Sequence, residues 1–113
     1  MEGSILAQRE RVSLGNGMAL RLLSALEVLQ ARREAEGLAR APKEHALCSN
    51  ACLLARALET EEGSPVFSGG EAVLAGLPVE EIAALSRTWS QFNREENPAL
   101  TMEQEEAEEL KKN

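Results

Sequence analysis

Ile82, Leu85, Trp89 and Phe92 recur at i, i+3, i+7 and i+10. On an α-helix that spacing gathers all four on one face, whereas a strand would divide them between its two sides. A second series, Leu47, Ala51, Leu54 and Leu58, repeats the pattern over about residues 43–59, with Cys48, Cys52 and Ala55 widening the stripe. Met18, Leu22, Leu26 and Leu29 give a third series at i, i+4, i+8 and i+11. Leu and Ala supply most of the apolar residues, there is no Tyr, and the aromatics are Phe67, Trp89 and Phe92 alone. Leu and Ala favour helices, while strands prefer β-branched and aromatic side chains. The expectation is therefore an all-α, single-domain bundle of about four helices joined by short Gly/Pro turns.

Punctuation residues set the expected boundaries. Residues 1–17 form an N-terminal segment in which 4–13 reads as a short opening helix, and Gly15-Asn16-Gly17 reads as a turn. The helical core spans 18–97. Within it Pro42 closes one helix and opens the next, and Gly63 and Pro65 mark a turn that leaves Phe67 as an anchor for the core. Ser68 and Glu71 have the spacing of a capping box for a short helix ending near Gly76, and Pro78 suits the first turn of the helix that carries Trp89. Residues 98–113 form an acidic tail or frayed helix, with Met102, Ala107 and Leu110 as the main apolar positions among many glutamates.

The charge narrows the partners. The formal net charge is -7, and every acid is Glu. Such a chain lacks the basic face that a phosphate backbone requires, so no nucleic-acid partner is expected. Magnesium and calcium sites draw on clustered carboxylates that commonly include Asp, so neither is expected here. No apolar run is long enough for a signal peptide or a membrane span, which points to the cytosol and to no membrane partner.

Reactive residues are scarce. His45, Cys48 and Cys52 share one helical face and offer three zinc ligands, but no further His or Cys supplies a fourth. One helical turn also places the two cysteines poorly for a mutual disulfide. Buried free thiols are the alternative, and the leucine stripe beside them favours it. No second His is present to activate a serine, and neighbouring glutamates on a helix point apart. A non-enzymatic protein with no cofactor and no metal is the expectation. For the Trp89/Phe92 face two readings stand, core or partner groove, and they are compatible.

The order "SALEVLQARREAEGLAR", "ALCSNACLLARALE", "GSPVFSGGEAVLAGLPVEEIAALSRTWSQFNREENP" and an acidic end "EELKKN" resembles the tail assembly chaperone-like proteins of tailed phages and prophages. Gly63, Pro65 and Phe67, followed by Ile82, Leu85, Trp89 and Phe92, carry the resemblance, which extends over roughly residues 20 to 112. It implies a helical protein of the bacterial host cytosol that binds the tape measure protein, keeps it soluble and helps tail tube subunits assemble. An apolar helix is well held in a groove between amphipathic helices. Leu54, Leu58, Phe67, Ile82, Leu85, Trp89 and Phe92 are the candidates for that partner-binding surface. An acidic helical adaptor or regulator that binds another protein is the alternative.

Overall fold

The computed structural model describes residues 11–96. In chain order they form β1 (Arg11–Ser13), β2 (Met18–Arg21), α1 (Ala25–Leu38), a 3-10 turn (Pro42–Glu44), α2 (His45–Ala57), β3 (Leu58–Thr60), α3 (Gly70–Gly76) and α4 (Val79–Glu96). The all-α expectation is overturned: a three-stranded antiparallel sheet, ordered β1-β2-β3, accompanies the four helices. Arg11–Ser13 is a strand where an opening helix was expected, and the remainder of that expected helix lies outside the described residues, as does the acidic tail. Leu58 likewise belongs to β3 and not to the end of a helix.

Residues 14–17 make the β1-β2 hairpin turn. Gly15 and Gly17 have φ of 78° and 85°, a region that side-chain-bearing residues avoid. The Leu14 N–H donates to the Met18 carbonyl at 2.9 Å, and the Asn16 side chain accepts from the Met18 N–H. β2 then pairs with β3, some forty residues later, in the register Leu20↔Leu58. Since Val12 faces Leu20 across β1, Val12, Leu20 and Leu58 form one row on one face of the sheet, and all three join the principal core. Arg11, Arg21 and Glu59 occupy the opposite face.

Arg11 and Arg21 stand directly opposite each other, a repulsive arrangement for like charges. Glu59 relieves it. Its carboxylate lies 2.8 Å from Arg11 Nε, an ion contact without aligned hydrogen-bond geometry, and 3.9 Å from Arg21 Nε. Arg11 also donates through Nη2 to the Thr60 carbonyl at 2.9 Å, so it reaches across β2 to β3.

The helices close on small residues. Ala31 and Ala35 of α1 pack with Cys48 and Cys52 of α2, all buried. A second buried cluster joins Leu20 and Leu58 of the sheet to Ala51, Leu54 and Ala55 of α2, Val73 of α3 and Ile82 of α4. The capping box forms at Ser24 and Glu27, which start α1. The one expected at Ser68 does not form. Gly69 is the N-cap of α3, and the Gly70 N–H donates to Glu34 Oε2 of α1 at 2.8 Å. A carboxylate from another helix thus replaces the local serine at the positive end of α3.

Glycine is required at position 70 by proximity. An added Cβ would meet Cys52 Sγ at less than contact distance and Cys52 Cα at 3.2 Å. Gly70→Ala is therefore expected to cost about 1–3 kcal/mol in urea denaturation, and less in a Cys52→Ala background, where the sulfur is gone.

Glu27 provides a pH signature. Its hydrogen bonds from Arg21 draw the carboxyl down; burial opposes them, the Ser24 N–H adds to them, and the result is a fall from 4.5 to about 2. A lowered folded-state value means stabilisation that is complete above about pH 4.5 and is lost as the pH falls toward 2. The stability difference between the native protein and Glu27→Gln, measured from pH 6 to 2, should narrow across that window.

Candidate functional site

The thiols are held in the interior. Cys48 and Cys52 are free and buried, whereas His45, the first residue of α2, is exposed. Cys52 lies against Gly70 and Glu34. Burial and then the Glu34 charge push its thiol up from 9.0 to about 12. A thiol so disfavoured as thiolate is a poor nucleophile and a poor metal ligand. Among the described residues no group of three or more His, Cys, Asp or Glu side chains is placed to hold a metal ion.

Glu34 is the polar centre between three helices. It accepts from Arg56 Nη1 of α2 at 2.6 Å through Oε1 and from the Gly70 N–H through Oε2. Arg56 also donates to the Cys52 carbonyl at 3.0 Å. Burial pushes the Glu34 carboxyl up, but the Arg56 guanidinium and the Gly70 N–H outweigh it, so it titrates below its ordinary value. A carboxylate satisfied on both oxygens ties α1, α2 and α3 together, and it is not poised as a general base.

The expected partner-binding residues divide by depth. Leu54, Leu58 and Ile82 are among the largest fully buried side chains. Phe67, Leu85 and Trp89 are half-buried and pack on the same core, with the Phe67 ring beside Gly76. Phe92 is half-buried on the last turns of α4. Trp89 has a structural duty: Nε1 donates to the Arg21 carbonyl at 2.9 Å and thereby fastens α4 to the end of β2.

Two surfaces remain open. On α1, Leu26 is 59% exposed and Leu29 is 45% exposed. They lie three residues apart, so they adjoin on the helix surface. The sequence series that included them predicted one stripe of a helix running from Met18. Because Met18 lies in a strand and α1 starts only at Ala25, the series is not one helical stripe, and α1 turns Ala31 and Ala35 inward instead.

The second is an open groove of about 660 Å³ between α2 and α4. Asn50 lies on its α2 side. Ser86, Ser90, Arg87 and Arg94 line it from α4. Asn50, Ser86 and Ser90 also line a second, much smaller cavity together with Leu53, Leu54 and Trp89. Ser86 Oγ is solvent-inaccessible and has no hydrogen-bond partner. Arg87 and Arg94 form no ion pair or hydrogen bond among the described residues. The sequence carries a signal for this groove that the apolar periodicity concealed: Ala83, Ser86, Arg87, Ser90 and Arg94 share the helical face next to the Trp89 stripe.

No helix among the described residues is long and apolar enough to cross a membrane. No family model matches the chain, and no curated protein or solved structure is significantly similar to it.

Trp89→Phe keeps the ring in place and removes the donor to the Arg21 carbonyl. The expected loss is about 1–2 kcal/mol, read by circular dichroism because Trp89 is the sole tryptophan.

Proposed function

We propose that the protein is a non-enzymatic binding module of the tail assembly chaperone kind. In this reading it works in the cytosol of a bacterial host, holds an apolar helical segment of a tape measure protein and assists tail tube assembly. The resemblance over residues 20 to 112 motivates the identity of the partner. Exposed Leu26 and Leu29 are the observation that carries the binding role, since adjoining uncovered leucines suit an amphipathic partner helix. The engagement of Cys52, Glu34 and Arg56 in packing leaves the described residues with little chemistry and is consistent with a binding role. Leu54, Leu58 and Ile82 then act as the support of the binding surface. Phe67, Leu85, Trp89 and Phe92 contribute where they reach the surface.

Co-expression with a tape measure protein tests the reading. The expected outcome is a soluble complex on gel filtration that Leu26→Glu/Leu29→Glu abolishes without altering the circular dichroism spectrum. Absence of both complex and solubilisation with the native chain would refute it. A complex that dissociates steeply with salt would instead identify an acidic adaptor of a basic partner.

A further inference from the structure

The α2–α4 groove is a cationic strip on an acidic chain. Nineteen of the 113 residues are acidic. Yet α2 carries no carboxylate, and neither does α4 from Ile82 to Arg94. None of the residues that line the groove is an acid, and two of them, Arg87 and Arg94, are arginines. Both arginines are exposed and form no ion pair among the described residues. The arginine of α2, Arg56, is by contrast committed to Glu34. On α4 the acids lie at the two ends. Glu80 and Glu81 stand in the first turn, about 9 Å or more along the axis from Arg87. Glu95 accepts from Gln91 at 3.5 Å but does not line the groove.

The spacing of the arginines specifies a complement. Arg87 and Arg94 are seven residues apart, nearly two helical turns, so they share a face about 10 Å apart along the axis. Ala83, Ser86 and Ser90 lie on the same wall, and their small side chains permit a second helix to approach α4 closely. Such a helix repeats the seven-residue spacing, so carboxylates at i and i+7 on it meet both guanidiniums at once. Each guanidinium can hold a carboxylate through two parallel N–H donors. A phosphate polymer matches less well, because its charge runs on past the groove along a chain of net charge -7. A single acidic helix engages the groove alone, and at physiological ionic strength charges more than about 8 Å away are largely screened.

We propose that the α2–α4 groove is the docking site for a helix of a partner protein that presents two carboxylates seven residues apart, with Arg87 and Arg94 as their anchors. Asn50, Ser90 and Gln91 serve the polar side chains between the two acids. The site lies on α2 and α4, whereas Leu26 and Leu29 lie on α1, so the inference stands without the tail assembly reading.

The probe is a synthetic helical peptide of Ala and Gln with two Glu seven residues apart, titrated into the full chain and followed by amide chemical shifts. The expected result is a set of shifts at Asn50, Arg87, Ser90 and Arg94. Affinity should fall about tenfold in Arg87→Gln/Arg94→Gln, the scale of two exposed ion pairs. A peptide with its two Glu five residues apart has the same charge on different faces, and it should show the same loss. Arg32→Gln/Arg33→Gln, at exposed positions of α1, should leave the affinity unchanged. Arg87→Glu/Arg94→Glu should instead bind the peptide in which Lys replaces both Glu. All four arginines are exposed, so these substitutions leave the core intact. Absence of binding, equal binding of the two Glu peptides, or an equal loss from the α1 substitutions overturns the proposal. So does a DNA duplex that binds more tightly at the same amides. A dimer on gel filtration that Arg87→Gln/Arg94→Gln dissolves also overturns it, because the occupant would then be a second copy.

Discussion

Close approach of α2 to its neighbours is the constraint on which the rest of the molecule depends. Ala31 and Ala35 meet Cys48 and Cys52 on one side, and Gly70 comes against Cys52 on another. Small residues permit such distances, but they bury little apolar area each. Polar ties between elements therefore carry unusual weight. Glu34 joins three helices through Arg56 and the Gly70 N–H, Glu59 reconciles two facing arginines on the sheet, and Trp89 fastens α4 to β2. Because β3 follows α2 without a loop, the position of α2 also fixes the edge on which β2 must pair. A displacement of α2 would thus disturb the sheet as well as the helical packing.

The elements that were legible in the sequence are those whose partners lie within their own periodicity. The Ile82, Leu85, Trp89 stripe does belong to one helix, and the stripe from Leu47 to Leu54 belongs to another. Turn residues were equally readable, since Gly15 and Gly17 adopt conformations that a side chain would strain. The sheet was not legible for a physical reason. Its strands are three or four residues long, and Met18-Ala19-Leu20-Arg21 has no β-branched residue. What makes it a strand is pairing with Leu58–Thr60, a contact distant in sequence that overrides local propensity. The Ser68 box failed for a related reason, because Glu34 from α1 takes the position beside Gly70.

Apolar periodicity reports that a face is covered, not what covers it. Leu54, Leu58 and Ile82 are covered by the chain itself, and Trp89 is shared between the core and a backbone carbonyl. Leu26 and Leu29, which the same reasoning placed on a helical stripe with Met18 and Leu22, face outward because α1 begins at Ala25 and buries alanines. Polar groove residues escape such reasoning altogether. Ser86 and Arg87 look like a solvated face in the sequence, and only the placement of α4 beside Asn50 makes them the wall of a groove.

The same packing decides what chemistry is left. Cys52 could have been a nucleophile or ligand had α3 stood further away, but the contact with Gly70 that closes the interior also sets the thiol beside the Glu34 carboxylate. Glu34 in turn is committed to Arg56 and to the start of α3, so neither group can change protonation state cheaply near neutral pH. The commitment of Cys52 and Glu34 to packing is in this respect a consequence of the small-residue core, and what α1 and α4 present outside it, Leu26 and Leu29 on one and the groove residues on the other, depends on the rigidity of the helices that carry them.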